Sequence, residues 1–276
     1  MTDVEEYKRH ISGVFTRASG LYDQAGPRFF THFGSRLVDF AGIPPGTRVL
    51  DVACGRGAVL FPAATAVGAS GEVVGVDISE GMILEIGRDI ARRGLPNATA
   101  LKMDAESLEF ADSSFDAVLC GLVLFFLPNL ERALAGFRRV LKPGGWLVAS
   151  TFQHVEDEAS KRWDALDESF KESLKPAPKA ETTKMNSEDE IKQVLSRAGF
   201  SDIHVESDQE TFHFSNEEEW WQVAWSHGYR AFLERMDADV LAKYKKQATE
   251  LVLQDKTDRG IPDTWHLYYS RGKKPS

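Results

Sequence analysis

A regular alternation of two kinds of segment, between residues 48 and 152, constrains the fold of this 276-residue chain more than any other feature. Five short apolar runs have the length of strands and lie at 49–52, 73–77, 98–103, 116–120 and 146–150. Amphipathic stretches of helix length separate them at 58–67, 80–93 and 130–141. Strands that alternate with helices form right-handed crossovers and a buried parallel sheet. The sequence therefore predicts an α/β fold.

The segments on either side have mainly helical periodicity. Apolar residues recur at three- and four-residue steps over the first forty or so positions, with breaks at Gly20 and at Gly26-Pro27. Ser187, followed three residues later by Glu190, is typical of a helix N-cap. The remaining predicted elements are helices over 157–174 and 187–198, a strand over 203–205, two helices within 216–254 and a last strand over 265–269.

A glycine turn follows the first predicted strand and contains Gly55 and Gly57. Glycines let the backbone turn sharply and approach a ligand, and the N–H groups of the following helix face an anion. Asp77 ends the second strand, where a carboxylate can accept both hydroxyls of a ribose. The dinucleotide fingerprint needs a third glycine where Leu60 stands. The pattern therefore favours a single nucleoside with a small charged group over NAD.

Five motifs occur in order over about a hundred residues: LDVACGRG at 50–57, VDIS at 76–79, MDAE at 103–106, FDAV at 115–118 and VLKPGGWL at 140–147. With them, the stretch 49–151 resembles the class I S-adenosylmethionine-dependent methyltransferases. Within that class it is most similar to bacterial quinone-biosynthesis and natural-product small-molecule methyltransferases. Ala53 stands where the common pattern has its first glycine.

The resemblance implies S-adenosylmethionine as cofactor and assigns a part of it to each motif. The glycine turn would hold the methionine moiety, the acid after the second strand the ribose, and the following residues the adenine. Tyr22 would belong to an N-terminal lid, and Cys120 would lie where methyl donor and acceptor meet. The cofactor-binding residues implied in this way are Tyr22, Asp51, Ala53, Gly55, Gly57, Asp77, Ile78, Met82, Asp104, Ala105 and Cys120.

Two of these residues have alternative interpretations. Asp104 also fits a helix cap. Cys120 also fits a small buried apolar residue, because free cysteines are commonly buried and methyl transfer from a sulfonium needs no thiol.

The resemblance also implies a fold and a domain organisation. We expect a Rossmann-like, seven-stranded, mostly parallel sheet whose last strand is antiparallel, flanked by helices. The predicted parts are an N-terminal helical lid at 1–45, the cofactor-binding core at 46–207, a helical cap insert at 208–262 and the last core strand with the tail at 263–276.

The acceptor is predicted to be a small molecule. A net charge of −9 argues against nucleic acid, and residues 120–123 lack the Asn-Pro-Pro-Tyr type of motif of enzymes that methylate exocyclic amines. No convincing carboxylate cluster predicts a metal. Aromatic residues of the cap and of the loops after strands four and five either pack the cap or form a pocket for a ring-containing acceptor. The pocket candidates are Phe125, Phe126, Phe152, Trp221 and Trp225.

His227 and His154 are the candidate general bases, although a structural or surface role is the commoner fate of each. The predicted function is methyl transfer to a small hydrophobic or aromatic acceptor in specialised terpenoid, indole or polyketide-like metabolism. The alternatives are a quinone-ring C-methyltransferase and a non-catalytic nucleoside-binding or partner-binding protein on the same fold.

The location and assembly of the protein are predicted from cysteine usage and hydropathy. Two cysteines and no signal-peptide or membrane-spanning pattern predict a cytoplasmic protein with no membrane partner. Homo-oligomerisation is left open.

Overall fold

The structure is a computed structural model that describes residues 3–183 and 185–276. The first two residues of the predicted lid therefore lie outside the described residues. The chain divides into two compact units, each built from three segments. We name them the sheet unit (Phe30–Gln153, Glu181–Asp208 and His266–Ser276) and the helical unit (Met1–Phe29, His154–Ala180 and Gln209–Trp265).

A seven-stranded sheet has the strand order β3-β2-β1-β4-β5-β7-β6. The strands are β1 Arg48–Val52, β2 Glu72–Asp77, β3 Ala98–Lys102, β4 Phe115–Gly121, β5 Leu141–Phe152, β6 Ser201–Phe214 and β7 Ile261–Lys273. β1 to β5 pair in parallel, and β7 runs antiparallel to β5. This confirms the predicted Rossmann-like fold class. The strand order reverses between β1 and β4, which is where open α/β sheets bind ligands.

Ten α-helices accompany these strands in the described residues. Those of the sheet unit are α2 Phe29–Ala41 (from its second residue), α3 Leu60–Val67, α4 Glu80–Arg93, α5 Leu130–Val140 and α7 Glu188–Arg197. Those of the helical unit are α1 Asp3–Ala18, α6 Glu158–Phe170, α8 Glu217–Ala224, α9 Arg230–Leu233 and α10 Ala238–Gln254.

The starts of α4, α5 and α7 are capped by short polar side chains. Ser79 and Asn129 accept from Met82 N–H and Arg132 N–H at 3.2 and 3.1 Å. Ser187 Oγ accepts from the amide of Glu190 at 3.3 Å, which confirms the predicted N-cap. Each bond satisfies one of the amides that a helix start leaves without a partner.

The core of the sheet unit is apolar because its strands are buried on both faces. Leu50, Val118 and Leu147, from β1, β4 and β5, are each at most 1% exposed. α5 contributes the face formed by Leu134 and Phe137, among others, at helical spacing.

The helical unit has its own core around Tyr244, which is fully buried. The hydroxyls of Tyr229 and Tyr244 both donate to Asp167 Oδ1, at 2.8 and 2.6 Å. From α1, Arg17 Nε donates to Glu234 Oε1 at 2.8 Å. Helices from three separate chain segments are thereby joined in one unit.

Several element boundaries differ from the sequence-based prediction. β6 was predicted over 203–205 but runs over Ser201–Phe214, and its second half is mostly polar. This strand lies at the edge of the sheet, where it has a neighbouring strand on one side only and much of it meets water. Its second half therefore lacks the run of apolar residues from which a strand is predicted. β5 and β7 are likewise longer than predicted.

The stretch 216–254, predicted as two helices, contains three. α8 ends where Ser226 Oγ donates to Val223 O at 2.8 Å. Such a local bond from a serine competes with helix continuation.

Candidate functional site

A strained glycine turn joins β1 to α3 at the switch point of the sheet. Ala53, Gly55 and Gly57 have φ angles of +54°, +50° and +87°. A Cβ at position 57 would lie 2.4 Å from the ring of Phe61, so this position requires glycine. The Cβ of Ala53 strains this left-handed conformation, and a glycine would not have that strain.

Asp51 is the next-to-last residue of β1, directly before this turn, and is 1% exposed. Burial, together with the neighbouring charge of Asp77, raises the pKa of Asp51 well above its ordinary value, although a backbone hydrogen bond from Leu60 opposes this. Asp51 Oδ2 is buried and has no hydrogen-bond partner among residues 3–183 and 185–276. A buried acceptor without a partner is costly, so it indicates a ligand that donates a hydrogen bond here.

Asp77, at the end of β2, is held by two backbone amides. Gly55 N–H donates to its Oδ2 at 2.9 Å and Ser79 N–H to its Oδ1 at 2.8 Å. Burial raises the pKa of Asp77 to about 6, and the two amide bonds lower it in part. Each carboxylate oxygen keeps a further lone pair with which it can accept from a hydroxyl.

The start of α4 adds apolar surface beside Asp77. Met82 is 1% exposed and Ile78 is half-buried. Packing of these two side chains on an adenine remains a prediction.

The loop after β3 carries Asp104 and Ala105. Asp104 Oδ1 accepts from Glu106 N–H at 2.9 Å, within a turn and not at the start of a helix, so this bond is not the helix cap of the alternative interpretation. Ala105 is buried. Glu106, which sequence reasoning missed, is also buried and accepts from Asn129 N–H at 2.7 Å, so that it joins this loop to the start of α5.

Cys120, near the end of β4, is fully buried in the core of the sheet unit. Burial and the charge of Asp51 raise the pKa of its thiol well above the ordinary value. The side chain therefore behaves as a small apolar residue. Any contact of this position with the cofactor remains a prediction.

Arg56, in the middle of the glycine turn, is a second residue that sequence reasoning missed. Its Nη2 lies 2.9 Å from Asp89 Oδ2 and 3.7 Å from Glu85 Oε2, both on α4. The side chains of Arg56 and Asp89 are buried. The i, i+4 spacing of Glu85 and Asp89 indicates that the two carboxylates lie on one face of α4. The sequence does not indicate that Arg56 is the partner they share, because that contact depends on the tertiary structure.

Comparison with known proteins places this geometry in a family. A family described as "Methyltransferase domain" matches residues 49–145. Demethylmenaquinone methyltransferase of Staphylococcus aureus (strain JH9) is 32% identical over 222 residues, which cover 75% of this chain and 91% of that protein. The chain belongs to the class I S-adenosylmethionine-dependent methyltransferases.

Two further similarities add detail. Aklanonic acid methyltransferase DauC of Streptomyces sp. (strain C5) is 45% identical over 139 residues, so the match spans 50% of this chain and 63% of DauC, less than two thirds of its length. The YcgJ protein of Bacillus subtilis has a similar structure, with a TM-score of 0.60 at 19% identity over 89% of this chain and 99% of that one. At that identity the similarity shows the fold alone.

The residues around the turn fit the cofactor of this methyltransferase family. Asp51 Oδ2 provides a buried acceptor for an amino group, and Gly55 and Gly57 give the adjacent turn its left-handed backbone. Asp77 provides a fixed carboxylate for a ribose. Family membership confirms the predicted cofactor, S-adenosylmethionine. The individual cofactor contacts remain predictions.

The candidate acceptor residues fall in both units. In the sheet unit, the ring of Phe125 lies 4.8 Å from Phe126 and 5.3 Å from Phe152, between centroids, and Phe152 is 37% exposed. In the helical unit, Trp221 is 8% exposed and packs in the core, with Trp225 edge-on at 6.1 Å. Trp221 therefore has a packing role, whereas the phenylalanines offer accessible surface.

The other predicted residues of the helical unit differ in environment. Tyr22 is half-buried and lies 6.2 Å from Phe15, ring to ring. His154 is exposed and lies 3.9 Å from Glu156. His227 Nδ1 accepts from Tyr229 N–H at 3.3 Å, and burial lowers its pKa to about 4. At neutral pH His227 is therefore uncharged, and its remaining proton is on Nε2.

Within 3–183 and 185–276, no group of three or more His, Cys, Asp or Glu side chains is arranged to hold a metal ion. In that same part of the chain, no helix combines the length and the hydropathy needed to cross a bilayer.

Proposed function

We propose that this protein transfers a methyl group from S-adenosylmethionine to a small hydrophobic or aromatic acceptor in specialised metabolism, of terpenoid, indole or polyketide-like character. The observation that carries the proposal is the buried acceptor atom of Asp51, which lies beside the glycine turn and the anchored carboxylate of Asp77. Similarity to DauC, a methyltransferase of aklanonic acid, supports a natural-product acceptor.

The proposed division of labour follows from the site. When bound, the cofactor supplies an activated methyl group on a sulfonium. Asp51 would accept from its amino group, and the positive charge there would return the pKa of Asp51 towards its ordinary range. Asp77 would accept from the ribose, Ile78 and Met82 would pack on the adenine, and Asp104 and Ala105 would bind the edge of that ring.

Proton removal receives little help from the predicted bases. With a pKa of about 4, His227 is a weak base at pH 7, and His154 is exposed. We therefore propose that the chain contributes chiefly orientation and exclusion of water, which are large terms in a displacement reaction. His227 then assists only acceptors that are themselves readily deprotonated.

A binding experiment tests the cofactor half of the proposal. S-adenosylmethionine and S-adenosylhomocysteine should each raise the thermal midpoint, with about 2.7 kcal/mol of stabilisation at a hundred times the Kd. Asp77→Ala should abolish the shift, while Asp112→Asn, at an exposed position, should keep it. No shift with either compound for the native protein would contradict the assignment.

A turnover experiment tests the catalytic half. Release of S-adenosylhomocysteine is measured against a panel of phenols, indoles, polyketide acids and terpenoid alcohols. Binding of the cofactor without turnover on any of them would favour the alternative, a non-catalytic nucleoside-binding or partner-binding protein.

Quinone-ring C-methylation is the second candidate, since the similarity to demethylmenaquinone methyltransferase extends over 75% of the chain. A reduced naphthoquinone and a polyketide carboxylic acid, offered in competition, distinguish the two candidates. A methyl group on ring carbon survives alkaline hydrolysis, whereas a methyl ester does not. Loss of the methyl group on hydrolysis therefore identifies a methyl ester, and the carbon-13 NMR shift of a retained methyl group distinguishes ring carbon from a phenol ether.

We further propose a cytoplasmic location, which is supported by two free, buried cysteines, Cys54 and Cys120. Light scattering after gel filtration measures whether the protein is a homo-oligomer.

A further inference from the structure

A groove runs along the surface of the helical unit between α6 and α10. Its volume is about 560 Å³, within the range of about 300–1,000 Å³ in which proteins bind small molecules. Arg162 and Leu166 of α6 form one wall, and one face of α10 between Lys243 and Gln254 forms the other. Both walls belong to the helical unit, so the groove is complete within that unit. We name it the α6–α10 groove.

The two helices that form the groove run antiparallel. Tyr244, in the first half of α10, donates its hydroxyl to Asp167, in the second half of α6. Arg162, in the first half of α6, pairs with Asp255, which follows the end of α10. Arg162 therefore lies at one end of the groove, beside the last turn of α10, and Leu166 lies one turn further along it.

Arg162 carries a buried hydrogen-bond donor that has no partner. Its Nη2 donates to Asp255 Oδ2, but its Nε is buried and meets no acceptor among residues 3–183 and 185–276. A buried N–H without an acceptor is costly. Because a guanidinium stays charged in proteins, an anionic acceptor forms the strongest hydrogen bond with it. The free donor therefore indicates an anion at this end of the groove.

The charge of the groove also favours an anion. Arg162, Lys243 and Lys246 carry positive charge, and only Glu250 and the nearby Asp255 oppose them. Lys246 lies 4.0 Å from Glu250, whereas Lys243 has no ion-pair partner in the described part of the chain. This excess of positive charge occurs in a chain whose net charge is −9. It is therefore a property of the groove and not of the whole surface.

The middle of the groove is apolar. Leu166 and Leu251 line it and are half-buried. The wall from Lys243 to Gln254 is about 16 Å long at the helical rise of 1.5 Å per residue. An extended chain of several carbons can therefore lie on the two leucines while an anionic group at its end reaches Arg162.

We infer that the α6–α10 groove binds a small organic anion, with the anionic group at Arg162 Nε and the apolar body along Leu251 and Leu166. The groove contains none of the residues predicted to bind the cofactor or the acceptor. The inference therefore does not rest on the proposed function, and it is tested without added cofactor.

Calorimetry with octanoate and 1-octanol tests the inference, because the two probes share a carbon chain and differ in charge. The native protein should bind octanoate with a Kd of about 1 mM or tighter, and about tenfold more tightly than 1-octanol. Arg162→Gln should weaken octanoate binding about tenfold. Lys161→Gln is the matched control, since it removes the same charge at an exposed neighbouring position that does not line the groove.

Gln254→Glu provides a second variant that keeps Arg162 and its ion pair. Gln254 is exposed and lines the groove, so the substitution should leave the fold intact. The added carboxylate should repel octanoate and weaken its binding about tenfold. Gln222→Glu, at an exposed position of α8 outside the groove, should leave octanoate binding unchanged. The thermal midpoint of each variant reports folding, and if Arg162→Gln does not fold, Gln254→Glu decides.

Three results would overturn the inference. The first is equal binding of octanoate and 1-octanol by the native protein, or no detectable binding of octanoate. The second is inorganic phosphate bound as tightly as octanoate, because the apolar body would then contribute nothing. The third is an equal loss of octanoate binding in each variant and its control, because net charge and not the groove would then govern binding.

Discussion

Individual residues at the cofactor turn are held in states that an isolated chain would avoid. Ala53 has a left-handed backbone, and Asp51 and Asp77 are carboxyl groups buried close to each other. Such costs of order 1–3 kcal/mol each persist where the surrounding structure imposes them, and they concentrate at functional sites. Here they shape the surface that would meet the cofactor.

Replacing Ala53 with glycine should stabilise the protein. Removing the strain of the left-handed conformation stabilises the folded state by about 1–2 kcal/mol. The greater conformational freedom of glycine stabilises the unfolded state by about 0.4–1 kcal/mol, which opposes this gain. We expect a net gain of about 0.5–1 kcal/mol in urea unfolding. Ala91→Gly, on the exposed face of α4, should instead cost about 1 kcal/mol. A loss of stability in Ala53→Gly would show that Ala53 is not strained.

Asp77 should make stability depend on pH between about 4 and 6. Its pKa is raised from 3.8 to about 6, so the folded state binds a proton that the unfolded state has released. The contribution of Asp77 to stability is therefore highest below this window and falls by about 3 kcal/mol as the pH rises through it. Urea unfolding at several pH values, without added cofactor, should show this slope flattened in Asp77→Asn. An identical slope in both proteins would contradict the assignment.

At the scale of elements, the glycine turn is tied to α4 from two directions. Asp77 accepts from Gly55, and Ser79 caps the helix that follows. The buried pair of Arg56 and Asp89 joins the same turn to the third turn of α4. A short loop between a strand and a helix is thereby held in one conformation before any ligand binds, which lowers the entropic cost of binding.

The Arg56–Asp89 pair should show strong coupling in a double-mutant cycle. Arg56→Met or Asp89→Leu alone leaves a buried charge and should cost about 3 kcal/mol. The double variant should lose at least about 1.5 kcal/mol less stability than the sum of the losses of the two single variants. The exposed pair of Lys192 and Glu188 on α7 is the control and should couple by about 0.5 kcal/mol or less. Additive losses at the buried pair would mean that Arg56 and Asp89 act independently.

For the whole molecule, net charge limits the class of partner. The chain carries 42 acidic against 33 basic residues, a net charge of −9 at pH 7. Polyanions bind through clusters of Lys and Arg that release counterions, and an acidic protein is repelled instead.

The protein should therefore not bind nucleic acid. We expect no shift in the mobility of double-stranded DNA or RNA at low-micromolar protein and 50 mM salt, conditions that favour electrostatic binding. A salt-sensitive shift would contradict the proposed small-molecule acceptor class.

The two units alternate along the chain, and this explains why some contacts between side chains could not be predicted from the sequence. Each unit is assembled from three chain segments, so neighbours in space are distant in sequence. Trp221 and Trp225 have the helical spacing of a pocket face, but only the packing of α8 against α10 shows that Trp221 is in a core. Phe29 and Trp265 are separated by most of the chain, and no local pattern predicts that they stack.

The sequence alone determined the parallel core and the cofactor turn, because strand periodicity, glycine placement and the acid after β2 act over a few neighbouring residues. Tertiary structure alone decided which charges pair, as with Arg56 and Asp89, how far the polar edge strand β6 extends, and which aromatic rings pack together. Those outcomes depend on contacts between segments that are distant in the sequence. Such contacts form, and contribute their free energy, only in the folded chain.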